Sequence, residues 1–280
     1  MVSRGRHSLP GPGRWGKIGA VDAPDDAVFT RRGGAEGGPV LLLLHGLGAT
    51  GAVWDGLAAL LPGRWPGAWV APDLPGHGRS APLRRYSFGT LAAALSSTVD
   101  AGAPLAVLGH SLGGVVALTL GTGWFGLRPA AVAGLGVKVR WTAAELDRAA
   151  EMAARPAPRF ADRAEAAGRA LRLAGLAGLV APDSALADGA VVPAAGGGWR
   201  PALDPGAFAV GAPDMAGLLA AVRAPVTLAA GEADPMSPAA DLRALRPDPV
   251  VLPGLGHNAH VEDPAALLPL VDGLAARTVS

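Results

Sequence analysis

The sequence contains no cysteine. Thiol nucleophiles, disulfides and thiolate metal sites are therefore all excluded. Charge is scarce as well. Only 17% of the residues are charged and the formal net charge is +1, which argues against a dedicated nucleic-acid surface. The basic residues near the start, Arg4, Arg6, Arg14 and Lys17, read as a solvated tail rather than a binding arm. The opening Met-Val-Ser-Arg-Gly-Arg-His lacks an apolar stretch behind its charges, so no signal peptide is expected and the expected location is the cytoplasm. One charge-free stretch, Ala101 to Leu127, is long enough to cross a bilayer. Pro104, Gly109, His110, Gly113 and Gly114 interrupt it, so it is read as a buried strand, a tight turn and a helix. No membrane span is expected.

Apolar residues are abundant. They make up 50% of a 280-residue chain, enough for one large domain or a domain carrying an insertion. They fall into short runs of strand length: Val40–Leu44, Trp69–Ala71, Leu105–Leu108, Ala130–Val137, Val226–Ala230 and Val250–Leu252. Runs that are apolar on both faces suit central parallel strands covered by helices on each side. The chain is thus expected to be α/β, with a mostly parallel sheet flanked by helices. From Lys138 to Pro213 the strand rhythm stops. Thr142-Ala-Ala-Glu145 forms a capping box before a helix running towards Ala154, a second helix is expected over Asp162–Leu173, and Ala194–Trp199 reads as a Gly-rich loop. The expected organisation is an N-terminal extension over 1–22, part of it disordered, a core over 23–137 and 214–280, and a mostly helical cap over 138–213. Asp263 followed by Pro264 supplies an N-cap and first helical residue for a terminal helix.

The chemistry begins at Gly109-His110-Ser111-Leu112-Gly113, a G-x-S-x-G motif between an expected strand and an expected helix. Such an elbow exposes the serine hydroxyl above the sheet, at a helix N-terminus that carries free N–H groups and partial positive charge. Acyl transfer needs two donors for its oxyanion. The backbone N–H of Leu112, directly after the serine, is one candidate, and that of Leu47 in His45-Gly46-Leu47-Gly48 is the other. His45 reads as a loop-structuring residue. Asp73 and His77 read as parts of a turn, and His110 as a locally packed neighbour of the serine.

These motifs resemble the α/β-hydrolase superfamily, in particular its small lid-bearing bacterial branch. The resemblance runs from Val28 to Ala276. It rests on His45-Gly-Leu-Gly48, Asp73-Leu-Pro-Gly-His-Gly-Arg-Ser80, Gly109-His-Ser-Leu-Gly-Gly114, Gly231-Glu-Ala-Asp234 and Gly256-His-Asn-Ala-His-Val-Glu-Asp-Pro264. It implies a nucleophile, acid and base in that chain order. Ser111 would be the nucleophile and Asp234 the acid, in preference to Glu232. Among the histidines His257 and His260 remain, and the resemblance assigns the base to His257. His260 would brace the loop or form part of the pocket. No metal or organic cofactor is implied.

Candidate pocket residues are Trp54, Lys138, Trp141, Trp199 and His260, beside Leu47 and Leu112. Lys138 and Arg140 read as a solvated pair, and Asp241 as a solvated helix residue. Such a wall fits a small, mainly apolar or aromatic acyl compound. The expected activity is hydrolysis of a carboxylic ester or lactone through an acyl-enzyme. The alternatives are a carbon–carbon bond hydrolase of a diketone-like substrate and a non-hydrolytic, ligand-binding member of the same fold. The expected partner is a small molecule, and the sequence leaves the oligomeric state open.

Overall fold

A computed structural model describes residues 28–278. The expected extension over 1–22 and the basic cluster within it lie outside the described residues.

Seven strands form one sheet: β1 (Thr30–Gly34), β2 (Val40–Leu44), β3 (Ala68–Pro72), β4 (Leu105–His110), β5 (Ala131–Leu135), and, after the chain returns, β8 (Val226–Gly231) and β9 (Val250–Leu252). Two short strands, β6 (Val191–Pro193) and β7 (Trp199–Pro201), pair with each other elsewhere. The order across the large sheet is β1-β3-β2-β4-β5-β8-β9. All neighbours are parallel except β1, which runs antiparallel to β3 at the edge.

The helices are α1 (Asp55–Ala58), α2 (Phe88–Leu95), α3 (Leu112–Gly121), α4 (Ala143–Ala154), α5 (Arg163–Leu173), α6 (Ala185–Asp188), α7 (Met215–Ala221), α8 (Ala239–Arg243), α9 (Ala259–Glu262) and α10 (Leu268–Thr278). Alternation along β2 shows why the sheet sits between two layers. Leu41 and Leu43 enter one apolar cluster with Trp54, Leu57, Val271 and Leu274, while Leu42 and Leu44 enter the other with Leu91, Leu95, Val116 and Leu120. All four leucines are fully buried. Each such burial is worth about 2 kcal/mol. Helix α3 is buried along its whole length, which explains why its sequence is apolar on every face.

Between β5 and β8 lie α4, α5 and α6, a 3₁₀ helix over Pro205–Val210, and the β6–β7 hairpin. The Thr142 side chain accepts from the Glu145 N–H and the Glu145 side chain caps back, so the capping box forms. Asp162 caps α5 by accepting from the N–H groups of Ala164 and Glu165. The hairpin corrects one reading. Trp199 belongs to a strand rather than to a loop, because Val191, Val192 and Pro193 pair with Pro201, Arg200 and Trp199 across the Gly-rich turn. Side chains on both sides tie this stretch to the core, beside the backbone hydrogen bonds from the Gly78 N–H to the Ala202 carbonyl and from the Asp204 N–H to the Gly76 carbonyl, both at 2.7 Å. Tyr86 Oη donates to Asp204 Oδ2 at 2.6 Å, and Asn258 Nδ2 donates to the Gly175 carbonyl at 2.9 Å. Among the described residues no helix is long and apolar enough to cross a membrane.

Candidate active site

The parallel strands deliver their carboxyl ends to one edge of the sheet, where ligand sites of such sheets lie. The loop His45–Gly48 follows β2, Ser111 follows β4, Asp234 follows β8 and His257 follows β9.

Ser111 sits at φ 51° and ψ −115°, and it is the one non-glycine residue with positive φ among the described residues. A side chain in this region carries a cost of roughly 1–3 kcal/mol, which the surroundings must hold in place. The Ser111 N–H donates to the Leu135 carbonyl at 2.8 Å, extending the β4–β5 ladder into the turn. A Cβ on Gly109 would collide with the Gly113 carbonyl, and one on Gly113 with the Leu44 carbonyl. The strand, the turn and α3 therefore approach as closely as they do only because both positions lack side chains.

Asp234 Oδ2 accepts from His257 Nδ1 at 2.9 Å. Its other oxygen accepts from the Met236 and Ser237 N–H groups at 2.8 and 3.1 Å. Burial acts to raise the Asp234 pKa, but the His257 hydrogen bond and charge, with the two N–H groups, outweigh it and hold the group below its ordinary value. An ionised Asp234 places the His257 proton on Nδ1 and leaves Nε2 as an acceptor. Glu232, two residues earlier, is exposed and accepts from the Gly254 N–H at 2.9 Å instead.

The other described histidines are held neutral. His45 is fully buried, accepts from the Leu74 N–H on Nε2 and contacts the Gly46 carbonyl through Nδ1, both at 2.8 Å; burial pushes its pKa down to about 4. Burial, aided by His45, lowers His77 to about 3. Asp73 holds the same turn, accepting from the N–H groups of Gly51 and Arg79 at 2.8 and 3.0 Å. His110 lies beside the His257 ring and donates from Nε2 to the His257 carbonyl at 2.9 Å. Burial, followed by the neighbouring His260 and His257, drives its pKa well below the ordinary value. Gly136 completes the packing here. A Cβ at that position would lie 3.3 Å from Asp234 Oδ2, from His110 Cδ2 and from His257 Cε1.

A cavity of about 310 Å³ opens over Ser111 and His257. Its wall includes Leu47, Leu112, Lys138 and Trp141 from the sequence reading. The N–H groups of Leu47 and Leu112 donate to no described group. Neither Ser111 Oγ nor His257 Nε2 is hydrogen-bonded to another described group, and both residues line the cavity.

Three sequence-based pocket candidates lie elsewhere. Trp54 ends a 3₁₀ turn that swings its ring into the core, where it is fully buried. Its ring packs 4.7 Å from that of His260. His260 is buried between Trp54 and His110, behind the cavity wall, and burial lowers its pKa to about 3. Trp199 packs with α5, with the Arg163 guanidinium 5.7 Å from its ring. Two further readings also change. Lys138 is ion-paired with Glu145, and Arg140 with Asp241 at 3.0 Å, so neither cation is simply solvated and Asp241 is not free. Phe88, Arg172, Val210, Met236 and Asn258 line the cavity and were missed. They come from five separate segments, and no local pattern links them to Ser111. Among the described residues no group of three or more His, Cys, Asp or Glu could hold a metal ion.

A parallel sheet that brings a strained serine and an Asp–His pair to one edge defines an α/β class whose site lies at the strand ends. The chain belongs to the alpha/beta hydrolase family, whose model matches residues 41–270. It is 44% identical over 92 residues to the magnesium-chelatase 30 kDa subunit of Rhodobacter capsulatus, covering 31% of each chain. It is 42% identical over 78 residues to the pimeloyl-[acyl-carrier protein] methyl ester esterase of Neisseria meningitidis, covering 28% of this chain and 29% of that one. The matches thus span less than a third of either relative's length. Among solved structures it resembles the thioesterase domain from the curacin biosynthetic pathway, with a TM-score of 0.71 and 25% identity over 87% of this chain and 94% of that one. E-2-(acetamidomethylene)succinate hydrolase is similar with a TM-score of 0.71 and 26% identity, over 89% and 95% of the two chains.

Proposed function

We propose that this chain is a serine hydrolase that cleaves a carboxylic ester or lactone of a small, mainly apolar or aromatic substrate through an acyl-enzyme. The observation that carries the reading is Ser111, strained at φ 51° on a cavity wall that also holds His257, whose Nδ1 is bound to Asp234. An esterase among the relatives and a thioesterase domain among the structural neighbours support acyl chemistry.

In this reading His257 Nε2 takes the Ser111 proton as Oγ attacks the substrate carbonyl. Asp234 stabilises the imidazolium that forms. The N–H groups of Leu47 and Leu112 receive the oxyanion, and losing one such donor costs roughly 100- to 1000-fold in kcat. Collapse of the tetrahedral intermediate breaks the ester C–O bond, and His257 returns its proton to the leaving alkoxide. Water then attacks the acyl-enzyme, giving a proton to His257, and the second collapse releases the acid and restores Ser111. Residues 138–213 act as a cap. Lys138 and Trp141 come from its start, and Arg172, Leu173, Ala174 and Gly175 from the end of α5 and just beyond.

Short-chain p-nitrophenyl esters and simple lactones test the proposal. The wild-type chain should turn over at least one series, and Ser111→Ala should lower kcat by several orders of magnitude, about 10⁶ if the three residues act as a unit. Ester turnover that survives Ser111→Ala overturns the assignment.

A further inference from the structure

The cavity over Ser111 is mostly apolar, with Leu47, Phe88, Leu112, Val115, Val210 and Met236 in its wall. No aspartate or glutamate lines it, but two cations do, Lys138 and Arg172. They are not equivalent. Lys138 is ion-paired with Glu145 and lies 4.9 Å from the Trp141 ring. Arg172, in the last turn of α5, is exposed at the rim, and its guanidinium has no hydrogen-bond or ion-pair partner among the described residues. Trp141 adds a second uncommitted group, because its indole N–H is shielded from water and has no partner. Asn258 differs, since its amide already donates to Gly175. Guanidinium and indole N–H are donors only. A shielded donor without a partner is a costly arrangement, and a turn of the Trp141 ring within the cavity wall would let a ligand acceptor relieve it.

We infer that the site takes an acyl ester bearing a carboxylate remote from the scissile bond, such as the half-ester of a dicarboxylic acid, with Arg172 anchoring that carboxylate and Trp141 Nε1 as a second donor. The inference rests on the hydrolase reading of Ser111. The apolar wall holds the carbon chain, and the cation at the rim holds the charged end. An Arg–carboxylate contact is charge-assisted and can be bidentate, so it selects the anion by geometry as well as by charge. Arg172 could instead merely offset the partial negative charge at the C-terminus of α5. That role would act on stability and not on ligand choice.

Calorimetric titration of the Ser111→Ala protein with monomethyl adipate and with dimethyl adipate separates these roles without turnover. The monoanion should bind roughly tenfold or more tightly than the diester, as expected for a hydrogen-bonded charge. Arg172→Gln in the same background should abolish that preference, and Arg172→Lys should keep part of it. In the active chain, Arg172→Gln should raise KM for the monoester by about the same factor, with kcat changed far less. Equal binding of the two esters, or a preference that survives Arg172→Gln, overturns the inference. So does an Arg172→Gln chain whose only change is a lower melting temperature. Ser111-dependent turnover without charge preference would sink this inference and leave the hydrolase reading standing. Charge-selective binding with no turnover of either ester would do the reverse.

Discussion

Ser111, Asp234 and His257 are far apart in sequence and come together only because β4, β8 and β9 end at the same edge. The Asp234–His257 contact makes a sharp expectation possible. Asp234→Asn should fold, yet lose about 10⁴-fold in kcat, because an amide cannot hold the imidazole in its working tautomer. His257→Ala should fall nearly as far as Ser111→Ala, and the double variant little further, because residues acting as a unit are not additive. His260→Ala should keep far more activity, since its ring lies behind His110 and away from the cavity. Steady-state kinetics on one p-nitrophenyl ester would rank the five, and a dead His260→Ala beside an active His257→Ala would reverse the assignment of the base. At this scale the sequence was legible where a motif imposes a backbone shape, as at Gly109–Gly113. It was less legible for Trp54, which the sequence offered as a pocket wall and which lies in the core. Sequence distance says nothing about which way a 3₁₀ turn points a ring.

Among the elements, α4 meets the cavity wall through the residues at and before its N-terminus. Its capping box includes Glu145, which also binds Lys138, and Trp141 stands one residue before the N-cap. Trp141→Ala should therefore change KM or acyl-chain preference more than it changes stability, checked by kinetics across chain lengths beside thermal melting. Normal kinetics in a badly destabilised protein would make Trp141 a packing residue only. Thr142→Ala should cost about 1 kcal/mol of stability through the lost cap, read as a shift in the urea midpoint. An unchanged midpoint would mean that α4 is held by its packing alone. Fully buried strands such as β2 and β4 were readable because no polar residue interrupts them. β1 was not, because Thr-Arg-Arg-Gly-Gly has no apolar pattern and its pairing with β3 supplies its structure from outside. β6 and β7 escaped for a similar reason, as three residues are too short to show a period.

Across the described residues, four buried histidines oppose protonation by acid. His45 is lowered by burial to about 4, His77 and His260 to about 3, and His110 well below its ordinary value. Once unfolded, each takes up a proton near its ordinary value of 6.5. Below that pH the unfolded chain binds more protons than the folded one, so stability falls as pH drops towards about 4. Asp234, held low in the fold, adds a loss in the same direction at lower pH, while Asp73, raised by burial, opposes it there. Urea midpoints should therefore decline steeply between pH 7 and pH 5. His260→Phe, which keeps a ring against Trp54 and His110, should flatten that decline; a flat wild-type profile, or an unaltered slope in the variant, would contradict this picture of neutral buried imidazoles.

Intact-protein mass spectrometry after treatment with a fluorophosphonate decides whether Ser111 is the nucleophile. A single covalent adduct is expected, located by peptide mapping on Ser111 and absent from Ser111→Ala. In the proposed mechanism His257 takes the serine proton, so His257→Ala should label far more slowly. An adduct on another residue, or none on the folded wild-type chain, would contradict the assignment of Ser111.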